Sequence, residues 1–361
     1  MTAAPTLGPL TAIQAMTPAF ERTKQQLFQP FRLSRWWRLA LTSLLAGEMG
    51  SGGNFGNHAN WNPQGRSGKG NEFLLLAAPP WADWHDYLPL IVAAVLFAMV
   101  LMVILIYVSS VFRFILLDSV LTERVRIREG WRRWHDRGGR FFLFQIGFAA
   151  VMLTLLGLVV GLPLLYAWSA GMFRNAGEHW VAFLVGGLLM LFVGGAVLIA
   201  AALAGVFTKD FVVPLMALEE LSALQAWRRL LPMLQSEKGP YAGYIGMKIV
   251  LAIGSAILFG ILSLLALLIV LIPLVILGIL VGVLAVGLGL TWNPLTIVLA
   301  VLVGAALLFG LFWVMALVAV PSVVFFQSYT LYFFGARYAR LGAMLAPPAP
   351  PTPAATAPAP A

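Results

Sequence analysis

The sequence predicts an all-α polytopic membrane bundle of about six spans, with amphipathic interfacial helices and an internal tandem repeat. Three observations lead there. Hydrophobic residues make up 61% of the chain and charged residues only 10%. Uninterrupted apolar runs at 88–108, 181–206 and 249–290 reach or exceed the roughly 20 residues that cross a bilayer's hydrocarbon. A basic, tryptophan-containing segment recurs between such runs.

Taken in chain order, residues 1–27 are mixed and fairly polar. They lack the charged-then-apolar pattern of a leader and read as a flexible cytoplasmic tail preceding a membrane domain over 28–340. At its start Arg32, Arg35 and Arg38 interleave with Trp36 and Trp37 beside a short apolar run, 28–46. That mixture marks a membrane interface, so 28–46 is an interfacial helix or a short, tilted span. Residues 47–87 are Gly/Asn-rich at first and close with aromatics, which reads as an extracytoplasmic loop. Strong spans follow at 88–112, 141–168 and 180–206, with a last one near 296–320. Residues 241–290 form a stretch of roughly 50 with Pro273 in its middle. This is either two spans or one kinked span with a re-entrant half, because proline breaks the hydrogen-bond ladder of a membrane helix. The charge of Arg337 and Arg340 favours a cytoplasmic C-terminus. The Pro/Ala-rich tail, 341–361, reads as extended and disordered.

The repeat appears on shifting the chain by 96 residues, which lays 113–134 over 209–230 without a gap. Glu123 meets Glu219, and Trp131-Arg132-Arg133 meets Trp227-Arg228-Arg229. Leu215, Leu218, Leu221, Leu224, Trp227 and Leu231 fall at helical spacing, so both segments read as amphipathic helices. The repeat units are 88–168 and 180–290, with a partial third over 296–340 in which Pro321 corresponds to Pro214. The pattern Phe211-Val212-Val213-Pro214-Leu215-Met216, followed by Ala226-Trp227-Arg228-Arg229, resembles an uncharacterised group of bacterial multi-pass proteins. These are related to the membrane domain attached to some glycerophosphoryl diester phosphodiesterases. The resemblance implies a bacterial inner-membrane location and carries no catalytic residues, since the soluble catalytic domain is absent.

Charge and composition narrow the function. With no cysteine, disulfides, zinc-thiolate sites and thiol catalysis are excluded. The net charge of +9 comes from 23 basic against 14 acidic residues. Its densest cluster lies in 113–140, which the positive-inside rule puts in the cytoplasm. That charge is interfacial, so nucleic acid is not an expected partner. No phosphate-binding loop, zincin motif, nucleophile elbow or dinucleotide fingerprint occurs, and no cofactor is expected.

The candidate sites are few. Trp131, Arg132, Arg133, Trp227, Arg228 and Arg229 suit docking of anionic lipid headgroups, or of a membrane or cytoplasmic protein. Simple anchoring of the topology would use the same residues. Asp83, His85, Asp86, Glu178 and His179 gather on the outer side, as metal ligands or as a polar rim. Lys248 is placed to snorkel to the inner interface, and Asp118 and Asp210 sit just past span ends. Gly157/Gly161 and Gly278/Gly282 read as packing motifs, within the subunit or between subunits. The favoured reading is a non-enzymatic scaffold or lipid-organising protein. The alternatives are a transporter or channel for a lipid or small apolar solute, and an intramembrane lipid-phosphate enzyme built on the outer cluster.

Overall fold

The computed structural model describes residues 8–48, 84–175, 177–287 and 294–345, and among these every regular element is helical. Two short helices, α1 (Met16–Phe28) and α2 (Leu33–Leu45), precede α3 (Trp84–Thr122). Helix α4 (Ile127–Leu156) passes through a π turn, Gly157–Gly161, into α5 (Leu162–Ser169). Helix α6 (Trp180–Phe207) likewise passes through a π turn, Thr208–Val212, into α7 (Val213–Glu219). Then come α8 (Ala223–Ser236), α9 (Lys238–Gly287), α10 (Pro294–Gly335) and α11 (Ala339–Leu345).

Among the described residues, five stretches are long and apolar enough to cross a membrane: Leu88–Thr122, Ile127–Ser169, Trp180–Glu219, Lys238–Leu284 and Val301–Gly335. At 35 to 47 residues each exceeds the ~20 that a bilayer requires. The surplus length explains the architecture. Toward one end the shafts expose apolar side chains, such as Leu96 and Phe97 on α3, Leu188 and Leu191 on α6, and Ile269 and Ile276 on α9. In lipid such exposure carries no hydrophobic penalty. At the opposite, basic end the same helices converge on one packed core containing Phe114, Phe141, Phe211, Tyr244, Phe333 and Phe334. Helices α1, α2, α8 and α11 complete that end.

Several expectations change. The first basic segment is no interfacial helix: α3 continues to Thr122 and α4 starts at Ile127, so its arginines cap a hairpin of two long helices. Helix α9 runs through Pro273 without a break, so neither the two-span nor the re-entrant form occurs there. At 13 residues α2 falls short of a span, and it packs against α3 and α10. Residues 16–28 are no loose tail, because Ala19, Thr23, Gln26 and Leu27 are buried and Arg22 donates to the carbonyls of Val120 and Leu121. The C-terminal helix reaches Leu345, with Leu341, Gly342 and Leu345 buried. The loop at 49–83 and the tail from 346 lie outside the described residues. Arg337, bonded to Glu237 at 2.6 Å, lies at the basic end.

Both π turns come two residues before a proline, Pro163 and Pro214. Proline lacks an N–H and its ring clashes with the carbonyl four residues back, and the wider turn relieves both conflicts. The second π turn also bears on the ungapped register of the duplicated sequence. The helices end on Glu123 and Glu220, both left-handed with φ of 57° and 58°. The N-cap positions of the next helices are Arg126 and Ser222. The second connection is thus one residue shorter, which cancels the residue that the π turn inserts.

Within the chain, close approach falls elsewhere than the Gly-x-x-x-Gly pairs. A Cβ on Gly157, Gly161, Gly278 or Gly282 would meet nothing within 4 Å, whereas one on Gly138 would lie 2.5 Å from Val111 Cγ2 and 2.8 Å from its Cα. Backbone cannot yield as a flexible side chain does, so Gly138 sets the α3–α4 spacing. Gly138→Ala is expected to lower stability by about 1–3 kcal/mol. Gly139→Ala, whose nearest contact is 3.9 Å away, should leave the detergent melting temperature unchanged.

Candidate functional site

Where the shafts enter the packed end, charged side chains that stand alone in apolar sequence meet. The stretch 180–218 contains only Lys209 and Asp210 as charges, and 239–290 only Lys248. Asp210 sits in the π turn after α6 and is 8% exposed; Lys248, three turns into α9, is 3% exposed. Lys248 Nζ donates to Asp210 Oδ2 at 2.5 Å. The Tyr244 hydroxyl, one helical turn before Lys248, donates to the same oxygen at 2.8 Å and lies 2.8 Å from Thr330 Oγ1 on α10. Three long helices are thereby joined through one carboxylate.

Arg113 on α3, 6% exposed, continues this layer. Its Nη2 lies 3.2 Å from Glu48 Oε1 and donates to the Ala46 carbonyl at 3.3 Å, fixing the chain just beyond α2. Ser109 donates to the same carbonyl at 3.1 Å, and Ser110 to Gln145 Oε1 at 2.7 Å. Glu48, Arg113, Lys209, Asp210 and Lys248 all line one small cavity of about 20 Å³, room for about one water. Arg113 and Lys209, which occupy matching positions of the duplicated sequence, both also line a larger cleft of about 680 Å³.

The snorkelling expected of Lys248 does not occur, because its ammonium ends on Asp210 inside the protein. Asp210 itself belongs to a long helix rather than an interfacial one. Asp118 stays near the surface, 3.8 Å from Arg133. The sequence signal for this layer was present: Lys209-Asp210 and Lys248 are the only charges within long apolar stretches of two long helices. What it lacked was their depth in the packing.

The duplicated trios divide their labour. Trp131 packs against Tyr107 and Phe112, and Trp227 donates its indole N–H to Thr208 Oγ1 at 3.1 Å. Arg132, Arg133, Arg228 and Arg229 are exposed. On α8 the buried stripe is Ala223, Ala226 and Leu230, not the leucine series expected from spacing. Leu224 and Leu231 are 65% and 45% exposed, and share their face with Arg228 by helical spacing. Beyond α10, the Tyr338 hydroxyl donates to Glu219 Oε1 at 2.6 Å. Burial and that carboxylate push its pKa up to about 12, so it remains a donor.

Of the outer cluster, only the Glu178 and His179 side chains are among those described. Asp83 lies outside the described residues, nothing of the His85 and Asp86 side chains is described, Glu178 is exposed and His179 stands at the N-cap position of α6. Among the described residues no group of three or more His, Cys, Asp or Glu could hold a metal ion.

Removing one member of a buried ion pair leaves an uncompensated charge, whereas removing both is far milder. Lys248→Met alone is expected to cost about 3–5 kcal/mol. The Asp210→Asn/Lys248→Met double variant should recover most of the melting temperature; a double variant as unstable as the single would show that the pair is not the coupled unit.

The sequence matches a family of unknown function, DUF7544, over residues 10–344. That match brings no link to the phosphodiesterase-attached membrane domain, so this part of the resemblance finds no support. No curated protein and no solved structure matches the chain. A match over nearly its whole length means that this multi-pass, all-helical chain belongs to the DUF7544 family.

Proposed function

We propose that the protein is a non-enzymatic component of the bacterial cytoplasmic membrane that organises acidic lipid, or holds a partner, through its basic end. The observation that carries this reading is the division within each Trp-Arg-Arg trio: the tryptophan packs inward while both arginines stay exposed. An anchoring helix needs only net positive charge. Here two arginine pairs are carried on helices, Arg132 and Arg133 in the second turn of α4 and Arg228 and Arg229 midway along α8, with Leu224 and Leu231 flanking Arg228. That is the pattern of an interfacial face which buries leucine at the acyl boundary and offers guanidinium to phosphates. The basic end faces the cytoplasm in this proposal, where the anionic leaflet rewards each cation by about 1 kcal/mol.

Transport of a lipid or small solute is the second reading, favoured by the buried Asp210–Lys248 pair. Ionisable residues enclosed between membrane helices commonly mark a relay or pathway. A pH-gradient assay in proteoliposomes tests it: proton flux that persists in the Asp210→Asn/Lys248→Met variant would count against that pair as the pathway.

For the leading reading, the protein is extracted with its lipid shell in polymer discs and the shell is analysed by mass spectrometry. Wild type is expected to enrich acidic phospholipid over the bulk membrane. The Arg132→Ala/Arg133→Ala/Arg228→Ala/Arg229→Ala variant should fall to the bulk composition with an unchanged melting temperature, because these side chains are exposed. Equal enrichment in the variant would overturn the surface role.

A further inference from the structure

We propose that the groove between α1, α9 and α10 is a binding site for one acidic phospholipid, whose acyl chain fills it and whose phosphate meets Lys24. The site is distinct from the exposed arginine surface. Phe20, Lys24 and Phe28 of α1 form one wall, Gly254 and Leu258 belong to a second on α9, and Phe325 to a third on α10. The volume of about 470 Å³ is that of a ligand pocket.

Three observations select the ligand. The first is dryness. The walls are almost wholly carbon, and the hydroxyls among them face elsewhere. Thr23 Oγ1 donates to the Ala19 carbonyl at 2.7 Å and Ser255 Oγ to the Ala252 carbonyl at 3.0 Å, each on its own helix. The Ser322 oxygen is sealed from the groove's surface. Water needs several polar partners, which these walls do not offer. An empty apolar volume forfeits the dispersion contacts of its lining, and a hydrocarbon chain restores them. The second is continuity with lipid. The turns of α9 that line the groove also carry Ile253 and Ile257, both exposed on the apolar shaft, and no charge occurs from 249 to 290. An acyl chain thus enters from the surrounding bilayer along α9 without crossing water. Gly254 leaves room for it, since a Cβ there would meet nothing within 4 Å.

The third is charge at the rim. Phe20, Lys24 and Phe28 are spaced by four residues, so they share one face of α1, and all three are exposed. Rings left 62% and 51% exposed suit an acyl boundary rather than water, and a cation between them suits the headgroup level. Lys24 makes no ion pair among the described residues, not even with Glu21 one turn back. A phosphodiester monoanion supplies that counter-charge, whereas a zwitterionic headgroup brings its own cation to the same place.

Native mass spectrometry of the delipidated protein, titrated separately with phosphatidylglycerol and phosphatidylcholine, tests this. Wild type is expected to retain one phosphatidylglycerol at collision energies that strip phosphatidylcholine. Gly254→Trp, which fills the groove from a position with open space around it, should abolish that retention while the delipidated protein melts as wild type does. Lys24→Ala should weaken phosphatidylglycerol binding about fivefold, the worth of one cation beside an anionic lipid, and leave phosphatidylcholine unaffected. Lys24 is exposed, so this variant folds and decides the matter should the tryptophan variant not. The four-arginine surface variant should keep the single lipid, which separates this site from the proposed surface role. Equal retention of both lipids by wild type, a Gly254→Trp protein that binds like wild type, unchanged lipid preference in Lys24→Ala, or loss of the lipid in the four-arginine variant would each overturn the proposal.

Discussion

The basic end of the bundle is organised around the Asp210 carboxylate. Lys248 and Tyr244 of α9 both donate to its Oδ2, and Tyr244 in turn meets Thr330 of α10. Stripping such groups of water is costly, so each charge is tolerable only with its partner in place. The pair therefore acts as a constraint on geometry more than as a source of stability: it fixes the rotation of α6, α9 and α10 about their axes. The aromatic packing of Phe211, Tyr241, Phe333 and Phe334 around it follows from that rotation.

The π turn that carries Asp210 belongs to the same constraint. Pro214 disrupts regular hydrogen bonding, the helix widens over Thr208–Val212, and within that widened turn Thr208 accepts the Trp227 indole while Asp210 reaches α9. One proline thus links the interfacial helix α8 to the buried ion pair. The corresponding place in α3 has no π turn and carries Arg113, which turns to Glu48 and the end of α2 instead. Related sequences have acquired different partners because one extra backbone residue changes the face on which a side chain emerges.

Division into lipid-facing shafts and a packed head also shapes the functional picture. The shafts offer little but apolar surface, while polar chemistry is concentrated in one layer at the root of the head and on its exposed rim. The exposed arginine pairs lie on that rim, and the buried layer of Arg113, Asp210 and Lys248 lies beneath it.

By itself the sequence determined that the chain is helical and membrane-embedded, because apolar runs longer than a bilayer admit few other folds. It also determined the recurrence of the Trp-Arg-Arg trios, and which end of the helices is basic, since both are local patterns. It did not reveal that the first basic segment is a hairpin of two long helices, as arginines at helix ends and in an interfacial helix look alike along the chain. Nor did it show that residues 16–28 and 339–345 pack as helices, because their burial depends on faces supplied by α3 and α10. Only the tertiary structure decided that Arg113, Lys209, Asp210 and Lys248 share one layer. Arg113, the adjacent pair Lys209 and Asp210, and Lys248 come from three separate helices, and their meeting depends on the rotation and offset of helices that periodicity does not encode.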